Sequence, residues 1–179
     1  MQSEFFLPEI IFMIAKSYIE SNLKQLDRLY GSAGTQKKEL YYSKLAILEL
    51  CGWLEESMDD VVQKCANRAL KEANNRSYVT EKIIKPTYGF EYEKHFKKML
   101  ISVVGLVTIE KVESKVDPLV YARFISALGN LKVARNKEAH THIKGVMRTI
   151  DAPSVTLRNF QYVHDGLKAF DSQLRTMGL

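Results

Sequence analysis

Few residues in this chain can staple it or carry it across a membrane. Its 179 residues hold two cysteines, Cys51 and Cys65, and both fall in one long helical pattern. On a continuous helix they stand roughly 20 Å apart, too far for a disulfide. They read as small core residues in a reducing compartment, and the cytoplasm is the expected address. No long apolar run is present. The stretch MLISVVGLVTI near residue 100 is too short to span a bilayer as a helix, and Pro8 and Glu9 interrupt FFLPEIIFMIAKSYI near the start. That first stretch also lacks a preceding basic region and a following small-residue cleavage site, so neither a leader nor a membrane anchor is expected. There is no Walker loop, no GxGxxG opening a helix and no GxSxG, which leaves no sequence basis for nucleotide hydrolysis, dinucleotide binding or serine-hydrolase chemistry.

What the chain does hold is ordinary globular material with a basic excess. Hydrophobic residues at 46% and charged residues at 26% exclude intrinsic disorder. The formal charge of +5 gives a weak bias towards an anionic partner such as nucleic acid, because lysine and arginine gain affinity by releasing counterions from phosphates.

Apolar residues recur at steps of three and four almost throughout, the signature of amphipathic helices. Phe12, Ala15, Ile19, Leu23, Leu26 and Tyr30 mark a first helix over 9–30, stopped by GSAGT. A longer one runs from about Lys37 to Asn74 with Ile47, Cys51, Leu54, Met58, Val61, Cys65 and Ala69 inward, and NNRS ends it. Residues 75–90, with KPTYG as a turn, read as an irregular excursion. The β-branched stretch Val103 to Ile109 has no second strand to pair with, so 91–113 is assigned as helix, broken at Gly105. Asp117 caps and Pro118 opens the next helix, whose stripe is Val120, Phe124, Leu128 and Leu131. A last helix spans about Ser154 to Met177, with Val155, Phe160, Val163, Leu167, Phe170 and Leu174 inward. The expected fold is one all-α domain over 1–179, an up-and-down helical bundle.

The stretch LKVARNKEAHTH (Leu131 to His142) closes the penultimate helix. Arg135 lies four and seven residues beyond Leu131 and Leu128, so it continues an apolar stripe. A buried guanidinium without a partner costs several kcal/mol. A carboxylate from a neighbouring helix, a partner subunit or a bound phosphate would satisfy it, and its planar fork suits carboxylate and phosphate alike. The plainer alternative is a helix end whose arginine snorkels to water and whose histidines favour the helix dipole. On a helical wheel His140 stands roughly 140° from Arg135, whereas His142 returns to the arginine's side. The two histidines point about 200° apart, which argues against a zinc site, and no metal or cofactor is expected.

RNKEAH resembles the R-x4-6-H signature of HEPN domains, with a polar residue directly after the arginine. The motif ends a late helix, one more helix follows, and a long earlier helix carries WLEES. The chain is similar in element order, from about Lys37 onward, to HEPN domains of the RiboL-PSP type. That resemblance implies a metal-independent endoribonuclease of toxin or antiviral-defence kind, dimerising through its long helices. It makes Arg135 and His140 the catalytic pair, Asn136 the supporting polar group, and Glu55 the acidic residue of the early helix. Glu55 then orients Arg135 or His140, or else it is a boundary carboxylate in a structural ion pair. Glu49, Trp53, Glu56 and Asp60 share another face, read as surface or dimer contact. RNKEAHTH also satisfies the longer spacing, so His142 stands as the alternative to His140. The implied partners are RNA, a second copy of the chain, and an antitoxin such as a nucleotidyltransferase. A non-catalytic module that binds RNA, a nucleotide or that antitoxin is the alternative function.

Overall fold

The computed structural model describes residues 16–139, 142–143 and 149–179. These residues form helices and turns, with no strand among them. The first helix, α1 (Ser17–Gly31), lays Ile19, Leu23 and Leu26 into the core; the earlier part of its expected span lies outside the described residues. A four-residue connection turns the chain into α2 (Gln36–Ala69), and Thr35 opens it by accepting from the Lys38 amide. This is the central rod. Its buried side runs Ile47, Cys51, Leu54, Met58, Val61 and Cys65, and it packs against α1 and both of the last two helices, α6 (Pro118–Ala139) and α7 (Pro153–Thr176).

The helix predicted to reach Asn74 stops at Ala69. Leu70 is extended, and a short α3 (Ala73–Tyr78) begins beyond it, so NNRS lies inside a helix instead of ending one. Arg76 holds this corner, its Nη1 donating to the carbonyls of Leu70 and Lys71 at 3.1 and 3.2 Å. The supposedly irregular excursion is therefore helical over much of its length. α3 runs on into a π-helical segment, Val79–Ile84, which Thr80 pins to α2 by donating to Gln63 at 2.6 Å. A second π-helical segment, Tyr92–Phe96, leads straight into α4 (Lys97–Val104). Between the two lies the only non-helical stretch of the excursion, residues 85–91.

Gly105 has φ +82° and separates α4 from α5 (Leu106–Lys115), as the sequence suggested for this β-branched run. Tyr92 donates to Glu113 at 2.6 Å and Lys97 pairs with the same carboxylate at 2.9 Å, which ties α5 back to the π segment. Tyr92, Phe96, Phe124 and Phe170 fill one end of the core with edge-on and tilted rings, centroids 5.5–6.5 Å apart. Trp53, read with its face as surface or dimer contact, is not a fully exposed side chain. It is half-buried against Phe160 at 5.2 Å and His164 at 6.4 Å on α7, while Glu49, Glu56 and Asp60 around it stay exposed. No helix among the described residues is long and apolar enough to cross a membrane.

Asp117 acts as the predicted cap of α6, its Oδ1 accepting from the amides of Leu119 and Val120, each at 2.9 Å. Asp117→Ala leaves both amides without that acceptor and removes a negative charge from the helix start. We expect a loss of about 1 kcal/mol in urea unfolding, with Asp117→Asn recovering most of it.

Candidate functional site

The penultimate helix delivers Arg135 to the edge of the core. Phe124, Leu128 and Leu131 are buried in sequence along its inner face, and Arg135 continues that face one turn further, where the packing opens to solvent. Glu55 reaches the same edge from α2, between buried Leu54 and Met58. Arg135 Nη1 donates to Glu55 Oε1 at 2.5 Å. The guanidinium also lies 5.4 Å from the centre of the Phe90 ring, which is buried. Charge and aromatic face together fix the arginine from two sides. Both side chains of the pair are 36% exposed, so the bridge adds little to stability and mainly holds the fork in one orientation. A guanidinium carries five N–H donors, and one carboxylate at Nη1 leaves donors for a second anion.

Arg135 and Asn136 share a small open cavity of about 200 Å³ with Lys132 from α6, with Gly89 from the excursion and with Glu91 and His95 just beyond it. Lys132 is itself positioned, its Nζ 2.6 Å from Glu91 Oε1. That hydrogen bond, ahead of the charges of Lys132 and Lys94, holds the Glu91 carboxyl below its ordinary range. The cavity therefore presents two cations, each steadied from behind by its own carboxylate.

His95, Phe90 and Lys132 were not anticipated. His95 stands forty residues before Arg135, in a stretch read as helix, but helical spacing alone does not say that its side faces α6. It arrives at the cavity because the π-helical turn places it there. Its Nδ1 accepts from the Glu91 amide at 3.0 Å, and burial holds its imidazole below the ordinary range against the opposing pull of Glu91. Gly89 makes the fit possible. It has φ +122°, and a Cβ there would stand 2.8 Å from His95 Cε1.

Of the two candidate histidines, His140 lies outside the described residues. His142 is exposed and lies beyond the end of α6 at Ala139. The wheel argument that put His142 on the arginine's side assumed a helix continuing through it, and that assumption fails. Asn136 is exposed at the cavity lip beside Arg135.

Neither cysteine is poised as a thiolate nucleophile. Burial pushes Cys51 up to about 12 and Cys65 up to about 11, so both remain thiols at neutral pH. A larger groove of about 840 Å³ lies between α6 and α7, on the other side of α6, where Asn130, Ala134 and Lys137 meet Arg158, Asn159 and Tyr162. It does not reach Arg135. Comparison with family models, with curated proteins and with solved structures found no match to this chain, so the chemistry rests on the geometry of the site.

One turn beyond Glu55, Asp59 was also missed. Its carboxyl is pushed up to about 6, first by burial and then by the charges of Glu55, Asp60 and Glu56. The folded state thus holds this proton more tightly than the unfolded chain. Its contribution to stability is present below the ordinary value of 3.8 and is lost as pH rises through about 6. Asp59→Asn should therefore stabilise the protein at pH 7 by about 1 kcal/mol, after discounting for partial exposure. The gain should shrink as pH falls and vanish below roughly pH 3, where the wild-type carboxyl is protonated in both states. Urea unfolding at the two pH values measures both.

Proposed function

We infer that this chain is a metal-independent endoribonuclease of HEPN type, cutting RNA to leave 2′,3′-cyclic phosphate and 5′-hydroxyl ends. The observation that carries the reading is the Arg135–Glu55 pair on the lip of a cavity that also holds Asn136 and Lys132. An arginine at the end of an apolar stripe, fixed by a carboxylate and an aromatic ring, is preorganised to meet a phosphate.

The chemistry asks little of such a site. The ribose 2′-hydroxyl attacks its own neighbouring phosphorus, the bond to the 5′-oxygen breaks, and that oxygen leaves with a proton. Arg135 holds the non-bridging oxygens as charge grows on them. His140, five residues on in the motif, takes the 2′-hydroxyl proton, since an imidazole exchanges protons near neutral pH. Asn136 steadies the phosphate from the next position. Glu55 acts through Arg135 and is a positioning residue. The net charge of +5 supports a polyanionic substrate. We place the active form as a homodimer whose two motifs line one cleft, serving as a toxin or antiviral effector held in check by an antitoxin partner.

Purified protein incubated with mixed RNA in EDTA tests the reading. Cleavage leaving cyclic phosphate ends supports it; intact RNA at every protein concentration sinks it. Single His140→Ala and His142→Ala proteins then divide the two histidines, with activity expected to disappear only in the first.

A further inference from the structure

The histidine that no motif announced sits in the same cavity as Arg135, and its hydrogen bonding fixes what it can do there. His95 Nδ1 accepts the Glu91 amide proton at 3.0 Å, so that nitrogen carries no hydrogen. In a neutral imidazole the proton then lies on Nε2. No described protein group accepts from Nε2, and the ring lines the cavity shared by Arg135, Lys132 and Asn136. The geometry points to His95 as a neutral hydrogen-bond donor to a phosphate group seated in this cavity, its Nε2–H aimed by the main chain. This deepens the ribonuclease reading by naming a phosphate subsite, and it rests on that reading only for the identity of the phosphate.

Three features make the donor a built one. The π-helical turn Tyr92–Phe96 is an uncommon backbone form that costs hydrogen-bond quality and often marks a functional position. Here both the His95 and the Phe96 amides converge on the Glu91 carbonyl, at 3.0 and 3.3 Å. The same residue, Glu91, thereby fixes the His95 main chain by its carbonyl, its ring by its amide, and Lys132 by its carboxylate. Gly89 lies against the ring edge, closer than any side chain would permit, and takes a left-handed φ that only glycine adopts readily.

The charges facing His95 come from three elements: Glu91 and Lys94 on its own segment, Glu55 on α2, and Arg135 and Lys132 on α6. Two are acidic and three basic, so the surrounding charge does not force the imidazole to ionise. Protonating Nδ1 would also break the bond from the Glu91 amide. His95 is thus suited to hold a phosphate across the neutral range while a different group moves protons. Arginine and lysine supply charge; the imidazole N–H supplies direction.

The test is an NMR titration of the full chain, labelled with ¹⁵N-histidine, with inorganic phosphate as the probe at pH 7.5. Four histidines give few signals, and His95→Gln assigns the one in question. The expected result is a saturable shift of the His95 Nε2–H, absent in Arg135→Ala. His95→Phe, which keeps a flat ring without a donor, should weaken phosphate binding about tenfold, and His95→Gln, whose amide can donate from a similar place, only about threefold. A His95 signal that stays still throughout the titration overturns the proposal, whether phosphate binds elsewhere or not at all. So does a His95→Phe protein, folded by circular dichroism, that binds phosphate as wild type does. RNA cleavage with a silent His95 would sink this inference and leave the ribonuclease reading standing. A responding His95 without any RNA cleavage would do the reverse.

Discussion

Arg135→Ala is expected to slow RNA cleavage by roughly a thousandfold while leaving the fold intact. The size follows from the place of the guanidinium. Glu55 at 2.5 Å and the Phe90 ring below it hold the fork still, so it contributes where charge develops without having to reorganise. Removing it takes away charge and direction together. Arg135→Lys keeps the charge and loses the fork, and should cost about a hundredfold. Stability should move by no more than about 1 kcal/mol, because the pair is about one-third exposed and Glu55 can be solvated when left alone. Initial rates on a defined oligoribonucleotide, beside thermal unfolding of each variant, measure both quantities. An Arg135→Ala protein that cleaves within threefold of wild type would remove the arginine from the mechanism.

Gly166→Ala is expected to be the most damaging conservative change in the core. Glycine in the middle of a helix ordinarily costs up to about 1 kcal/mol relative to alanine, so the usual expectation is stabilisation. The position on α7 reverses the sign. A Cβ there would stand 2.3 Å from Phe124 Cγ and 2.4 Å from its Cδ2, well inside contact distance. Phe124 is fully buried and hemmed by Tyr92, Phe96 and Phe170, so it cannot swing away without disturbing the whole aromatic end of the core. Overpacking of this kind costs about 1–3 kcal/mol, and the rigid neighbours place it at the upper end. The net expectation is a loss of about 2 kcal/mol and a fall in Tm of roughly 6 °C. Combining Gly166→Ala with Phe124→Leu, which opens the space the methyl needs, should recover part of that loss. A Tm that rises on Gly166→Ala alone would contradict the packing described.

The bundle was legible where burial follows a strict period. Most of the stripe residues of α1, α2, α6 and α7 among the described residues lie inward as their three-and-four spacing demands, and Asp117 and Gly105 act as the punctuation they resemble. The stop at Ala69 was not legible, because it is set by Arg76 reaching back to carbonyls six and five residues earlier, a contact that no local propensity encodes. Nor was Trp53, whose neighbours Phe160 and His164 come from a helix a hundred residues away. The candidate site divides in the same way. A charged residue on an apolar stripe demanded an anionic partner, and Glu55 stands there. Phe90 and His95 were invisible because a π-helical turn and a left-handed glycine bring them to Arg135, and Lys132, one turn before it on α6, gains its place only through Glu91 from another segment. The wheel failed for His142 because that residue is not helical.

The most direct measurement compares two oligoribonucleotides in EDTA, alike except that one carries a 2′-O-methyl group at a mapped cleavage site. Attack by the 2′-hydroxyl predicts cutting of the unmodified strand to a 2′,3′-cyclic phosphate and no cutting at the methylated linkage. Cleavage that continues at that linkage, or that begins only when a divalent metal is restored, would contradict the mechanism assigned to Arg135 and its cavity.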